Sequence, residues 1–353
     1  MINKVLNPNI PGDSVTHDGV WKKRLRLCYT RYFFVVMASL FPIMAVIGFT
    51  PDYQMIKSQG LEVHWFLHVH GAIMVSWLLV FLVQAVLAAK GNLKFHRKLG
   101  LISVVLGVFV FLSIGVAIVH AKIAYSPPVG DSDAWGILSQ QLYGFLLFGL
   151  LFTWGILARK NAGTHKRLLL LATVVLIQAA VDRIRFLPGI NEALYIRFIY
   201  LDVLLIPLFI YDLLTVRHIH KITVIGTVCI IFLQFTVTRA WGSPVWNKLA
   251  YSLFAPFMEH QVEIKLTDAQ INPVLGYYGD KKWKMSITRT GGKVYLQLPN
   301  VPKFEMAAIS ETEWFLKATT WRISFIRSQD GSITKIVNKQ PNVTWEMPRF
   351  KQQ

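Results

Sequence analysis

The chain has 353 residues, 54% of them hydrophobic and only 16% charged, with a mean hydropathy of +0.44. Soluble domains are about 25% charged, so a soluble protein is excluded for most of this length, and two cysteines, Cys28 and Cys229, exclude a disulfide framework or a cysteine-rich metal site. The formal charge of +18 gathers in particular connections between apolar runs, a pattern of membrane orientation rather than of nucleic-acid binding.

The polar opening MINKVLNPNIPGDS shows no cleavable signal, because the first apolar run begins only near Tyr32, behind a basic stretch. Crossing a bilayer takes about 20 apolar residues, and runs of that kind recur along two thirds of the chain. They predict seven spans over 32–50, 64–89, 99–121, 139–158, 166–184, 195–216 and 222–240. Sixteen Lys and Arg residues fall in the N-terminal segment and the connections after spans two, four and six. Five, namely Lys57, Lys122, Arg183, Arg185 and Arg197, fall in the connections after spans one, three and five. The Lys/Arg bias of short loops therefore predicts a cytoplasmic N-terminus, and an odd number of spans puts the C-terminus outside.

Beyond span seven the aromatic segment WGSPVWNKLAYSLFAPF has an interfacial composition. WKMSITRTGGKVYLQL then reads as two strands about a Thr-Gly-Gly turn, and WRISFIRSQDGSITKIVN as a second hairpin about Asp-Gly. With EWFLKA and VTWEMPRF these predict a small antiparallel β domain. The organisation is thus a basic segment (1–31), an α-helical polytopic membrane domain of seven transmembrane helices (32–240), a linker (241–257) and an extracytoplasmic β domain (258–353).

An internal echo links AAKGNLKFHRKLGLISVVLG with LARKNAGTHKRLLLLATVVL, 69 residues apart from His96 to His165. It reads either as two inner loops that gather cations on re-entering the bilayer or as a duplicated two-helix unit.

HGAIMVSWLLVFLVQAVLAAKGNLKFHRKLG, followed by HKRLLLLATVVLIQAAVDRI, resembles an uncharacterised family of predicted bacterial integral membrane proteins. The likeness covers about residues 65–215 and rests on His70-Gly71, Trp77, Gln84, the HRKLG at His96 and the HKRL at His165. It implies a bacterial inner membrane and brings no activity with it. The tail, with GYYG, KVYLQL, EWFLK and a closing PRF, is similar to the small β module that trails some serine β-lactamase-like hydrolases. No Ser-x-x-Lys motif accompanies it, so hydrolysis is not implied.

In VHWFLHVHG, His64 and His68 share a helical face while His70 points away from them. The first two read as a weak (i, i+4) metal pair or as headgroup residues. His70, Trp77 and Gln84 follow one another at seven-residue steps. Ionisable groups inside a membrane face a partner or a wet cavity. His70, Trp77, His120, Gln141, Tyr143, Gln178, Asp182, Arg185, Arg197, Tyr200 and Asp202 are therefore the candidates for an outward-facing polar pocket. The alternative is structural pairing, Asp182 with Arg183 or Arg185 and Asp202 with Arg197. Asp212 is expected to pair with Arg217, while His218 and His220 join a basic loop on anionic lipid. Haem b could lie between His70 and His120, with a second between His96 and His165.

No phosphate loop, dinucleotide fingerprint, HExxH or CxxC motif occurs. Three functions stay open: a sensing, small-molecule-binding or envelope accessory protein with an outward pocket; a haem- or quinone-linked redox protein; and an assembly partner that docks an envelope protein through its β domain.

Overall fold

The computed structural model describes residues 17–58, 62–123, 127, 129–190, 192–258, 262–279, 284–298, 303–317, 321–339 and 343–350. The polar segment 1–16 and His260 lie outside the described residues, as do the side chains of His17, Cys28 and Lys122.

Helices α1 (His17–Ser58), α2 (Trp65–Ala89), α3 (Leu93–Ile123), α4 (Ser132–Leu157), α5 (Ala162–Val181), the pair α6 (Leu194–Val203) and α7 (Ile206–Thr215), and α8 (Lys221–Ala240) form the seven-span body. Each span is long and apolar enough to cross a membrane. Their ends are cut by local chemistry. Gly91, at φ 75°, ends α2 in the left-handed conformation that costs glycine least. The carboxylate of Asp131 and the amide oxygen of Asn161 cap α4 and α5 by accepting from the Ala134 and Thr164 N–H groups.

The spans differ from their expected bounds in instructive ways. Helix α3 begins at Leu93 and α4 at Ser132, earlier than expected, because LKFHRK and SDAWGI are helical before they turn apolar. Part of the basic segment assigned to 1–31 is likewise the opening of α1. Span six is broken: α6 stops at Val203, and α7 opens with Pro207 in its first turn. Proline has no N–H for the carbonyl four residues back and its ring crowds that carbonyl, so Pro207 leaves the Val203 carbonyl without its helical partner, and the helix breaks there.

Helix α5 holds the bundle together. It is buried along most of its length and packs on α1, α4, α6 and α8. Close approach to it depends on small residues. A Cβ on Gly48 of α1 would lie 2.4 Å from the Ala180 carbonyl oxygen, and one on Gly226 of α8 would lie 2.4 Å from Leu171. The other helices turn apolar side chains such as Val36, Leu101, Leu146 and Phe232 outward, as a lipid-facing surface requires.

The linker over 241–257 is itself helical. Helix α9 (Pro244–Phe254) packs Asn247 and Ala250 inward and exposes Val245, Leu249 and Leu253 in one i, i+4 row. The Trp246 indole N–H donates to the Trp135 carbonyl at 2.8 Å, pinning α9 to the start of α4.

The C-terminal part is an eight-stranded antiparallel barrel. After β1 (Glu62–Val63), which lies in the α1–α2 connection, come β2 (Gly276–Gly279), β3 (Lys284–Thr290), β4 (Lys293–Gln297), β5 (Phe304–Ala308), β6 (Glu313–Leu316), β7 (Arg322–Arg327), β8 (Ile333–Lys339) and β9 (Val343–Phe350). The expected hairpins are β3–β4 about Gly291-Gly292 and β7–β8 about Asp330-Gly331. Strand β9 pairs with β8 on one edge, and on the other with β2 through only Arg349 and Phe350. The start of that edge pairs with β1, with Glu62 opposite Thr344 and Val63 opposite Val343. The α1–α2 connection is thus hydrogen-bonded to the barrel through β1. The β1 pairing also puts the start of α2 at the barrel end of the bundle, together with the end of α8.

Candidate functional site

Ionisable residues divide between the two ends of the bundle. At the end away from the barrel, Arg167 of α5 and Asp212 of α7 form a fully buried ion pair. Arg167 Nε donates to Asp212 Oδ1 at 2.9 Å, and Arg167 Nη1 donates to the Gly163 carbonyl at 2.7 Å. The second carboxylate oxygen accepts from the Thr223 hydroxyl of α8 at 2.5 Å and from the His220 amide at 2.9 Å. Both charges of the pair are satisfied, so the network locks α5, α7 and α8. The expected partner, Arg217, is instead an exposed residue at φ 61° beyond the end of α7. Helical spacing favoured it, but Arg167 reaches the acid across the helix interface.

At the barrel end the acids are held differently. Asp182, capping α5, accepts from the amide of Gln178 one turn earlier at 2.6 Å and from the amide of Gln140 on α4 at 2.7 Å. Asp202 of α6 accepts from the amide of Gln234 on α8 at 3.0 Å. The expected pairings with arginine are not formed. Arg183 and Arg185 both turn to Asp52 of α1, at 3.1 and 2.6 Å, and Arg197 donates to the Ile190 carbonyl at 3.0 Å. Tyr200 donates to the Pro188 carbonyl at 2.8 Å. Arg183 and Arg197 stand near enough to Asp182 to act on it through space, but its hydrogen bonds come from amides.

One face of α4 joins the two acids. Gln140, bonded to Asp182, and Tyr143, whose buried hydroxyl lies beside Asp202 and Gln234, are three residues apart and so share that face. Among the described residues two buried polar atoms here lack a hydrogen-bond partner, Tyr143 Oη and Gln178 Oε1. Buried polar groups are normally satisfied, and leaving one unpaired costs about 1–3 kcal/mol. The break between α6 and α7 falls just beyond Asp202. Non-helical backbone at membrane depth is tolerated where protein buries it or where it lines a wet cavity.

Tyr143, Gln178, Asp182 and Asp202 therefore gather at one end of α4, α5 and α6, while Gln141 lies on another side of α4, in line with Leu138 and Phe145, which pack towards α3. Gln140 and Gln234 belong with them although sequence reasoning missed both. A lone Gln in IIFLQFTV was the available signal. Arg185, Arg197 and Tyr200 stay at the rim on partners of their own.

The histidine and tryptophan candidates lie elsewhere. His70 contacts the Ser113 hydroxyl at 3.0 Å. That hydroxyl already donates its only hydrogen to the Val110 carbonyl, so the His70 Nδ1–H must be the donor. Trp77 donates to the Thr173 hydroxyl of α5 at 3.3 Å. His120 packs on His64 with ring centroids 4.3 Å apart, and the Phe66 ring stands 6.1 Å from His70 and 6.2 Å from His120. The two imidazoles expected to share an outer haem are thus engaged by different neighbours. His64 caps α2 by accepting from the Phe66 N–H on Nδ1; His68 is exposed. Among the described residues no group of three or more His, Cys, Asp and Glu side chains is placed to hold a metal.

At the opposite end His96 and His165 meet edge to face, with ring centroids 6.5 Å apart. No family model matches the chain, and no match is found among curated proteins or solved structures.

Proposed function

We propose that this is a bacterial inner-membrane protein, N-terminus inside, whose pocket at the barrel end binds a small cationic ligand from the extracytoplasmic side in a sensing or accessory role. The observation that carries this reading is chemical. The site offers two carboxylates held by neutral amides, together with the unpartnered oxygens of Tyr143 and Gln178. A set dominated by acceptors suits a ligand rich in N–H donors and positive charge, such as a primary amine or diamine. Asp52 engages Arg183 and Arg185 at the rim, leaving the inner acids to a ligand. The orientation rests on the Lys/Arg bias of the loops. A route for signalling exists in the short path from β1 into α2.

The test is a thermal-shift and calorimetric titration of detergent-purified full-length protein with small amines, diamines, neutral polyols and carboxylates. Amines are expected to raise the midpoint and carboxylates to leave it unchanged. Asp182→Asn and Asp202→Asn keep an acceptor but remove the charge, and each should weaken amine binding at least tenfold. Equal responses to amines and carboxylates, or undiminished binding by both variants, would overturn the reading.

A further inference from the structure

Helices α3 and α4 meet through glycine. A Cβ on Gly107 of α3 would lie 2.3 Å from the Phe152 ring of α4, and one on Gly149 of α4 would lie 2.7 Å from the Phe111 ring of α3. Each ring thus crosses to a glycine on the facing helix, and the lipid-facing side of the contact is left unfilled. The result is a groove of about 340 Å³, lined by Gly107, Val108 and Phe111 on one helix and by Leu146, Gly149, Leu150 and Thr153 on the other. Val108, Leu146 and Leu150 are exposed, so the groove opens on the surface that meets the membrane.

Two features go beyond a plain apolar groove. The first is Thr153, which is exposed there and whose hydroxyl has no hydrogen-bond partner among the described residues. Other threonines of the bundle, Thr50, Thr173 and Thr215, donate to the carbonyl four residues back. An unpaired hydroxyl facing hydrocarbon is costly, and a ligand acceptor at that depth removes the cost. The second is charge. Leu146, Leu150, Thr153 and Leu157 recur at i, i+4, i+7 and i+11, and Lys160 follows them in the closing turn, about 10 Å beyond Thr153. On α3, Arg97, Leu101, Val108 and Phe111 keep to one face at the same helical spacing. Arg97 and Lys160 are exposed, and among the described residues neither has an acidic partner.

Apolar length in the groove, an acceptor at Thr153 and negative charge at Arg97 and Lys160 are the parts of one kind of molecule. We propose that the α3–α4 groove binds one anionic glycerophospholipid from the leaflet at the end opposite the barrel. An acyl chain lies along Gly107 and Gly149, an ester carbonyl accepts from the Thr153 hydroxyl, and the headgroup sits between Arg97 and Lys160. Two unpaired cations favour a headgroup of net negative charge over a zwitterionic one, whose own ammonium already offsets its phosphate. The site stands apart from the acidic cluster at the barrel end and does not depend on what that cluster binds.

The experiment is native mass spectrometry of the full-length protein released from detergent. It is titrated with phosphatidylglycerol, with phosphatidylcholine of the same acyl chains and with inorganic phosphate. Wild type is expected to retain one phosphatidylglycerol per chain at least tenfold more tightly than either of the others. Arg97→Gln with Lys160→Gln should bring phosphatidylglycerol down to the level of phosphatidylcholine. Leu150→Trp, which fills the groove from an exposed position, and Thr153→Val, which removes the hydroxyl, should each weaken phosphatidylglycerol binding. Arg217→Gln with Lys221→Gln, exposed cations at the same end but off the groove, should leave it unchanged. Melting curves identify any variant that fails to fold, and the wild-type preference and stoichiometry decide the matter without the variants. Equal retention of the two lipids, several equivalent lipids per chain, or phosphate held as tightly as phosphatidylglycerol would overturn the proposal. So would undiminished binding in folded Leu150→Trp or Thr153→Val, or an equal loss in the Arg217 and Lys221 control.

Discussion

At the residue scale the two ends of the bundle treat charge in opposite ways. Arg167–Asp212 is buried and satisfied on every side. Removing one partner of such a pair strands the other and costs about 3–5 kcal/mol, whereas exchanging both for apolar residues is often close to neutral. Arg167→Met is therefore expected to lower the unfolding midpoint of the full-length protein steeply, and Arg167→Met with Asp212→Leu to recover most of the loss. A double variant as unstable as the single would show that the pair does more than lock helices. In the barrel, the Ser328 hydroxyl and the amide and hydroxyl of Ser332 pull the exposed Asp330 carboxyl down to about 2, against about 3.9 in an unfolded chain. A depressed carboxylate stabilises the fold above about pH 3.9, and that contribution is lost as the pH falls through about 2. Asp330→Asn should thus flatten the acid loss of barrel stability between those values, read by tryptophan fluorescence; parallel acid profiles would contradict it. Glu305, lowered by Lys293 and Lys317, supplies a residual slope of the same sign.

At the scale of elements, α5 is close-packed against its neighbours. Gly48→Ala forces a carbon to within 2.4 Å of the Ala180 carbonyl oxygen, whereas Gly71→Ala meets nothing within 4 Å. The first is expected to cost about 1–3 kcal/mol as an overpacked contact and the second to be silent, both measured by thermal unfolding in detergent. Equal melting of the two variants would contradict the α1–α5 contact. The β1–β9 seam is checked by a disulfide: opposed residues in an antiparallel pair have Cβ atoms about 4.5–5.5 Å apart. Glu62→Cys with Thr344→Cys, in a background lacking Cys28 and Cys229, should therefore crosslink on mild oxidation, and failure to do so would separate the barrel from the α1–α2 connection.

Much of this scale was legible in the sequence. Hydropathy marks the spans because lipid imposes a length, and Thr-Gly-Gly and Asp-Gly mark the hairpins because their backbones need positive φ, as at Gly291, Gly292 and Gly331. The break at Pro207 was not read, since IPL sits inside an unbroken apolar run. A two-residue strand such as β1 has no periodicity to detect. At the site, Gln178 with Asp182 follows from helical spacing. Gln140 with Asp182 and Gln234 with Asp202 join residues 42 and 32 positions apart, and neutral amides leave no trace in a search for opposite charges.

At the scale of the whole molecule, the chain is a membrane-embedded bundle joined to a barrel at both the α1–α2 connection and the α9 linker, with its amide-held acids at the barrel end and its cation-rich network at the other. The account depends on the acidic site being wet, open towards the barrel end and selective for positive charge. Cysteine accessibility measures all three together. Tyr143→Cys and Gln178→Cys, in the cysteine-free background and in sealed inside-out and right-side-out vesicles, are exposed to small cationic and anionic thiosulfonate reagents. Labelling is expected only in right-side-out vesicles, at least tenfold faster with the cationic reagent, and with that preference diminished by Asp202→Asn. Labelling from the cytoplasmic side, no labelling at either position, or equal rates for the two reagents would contradict the account.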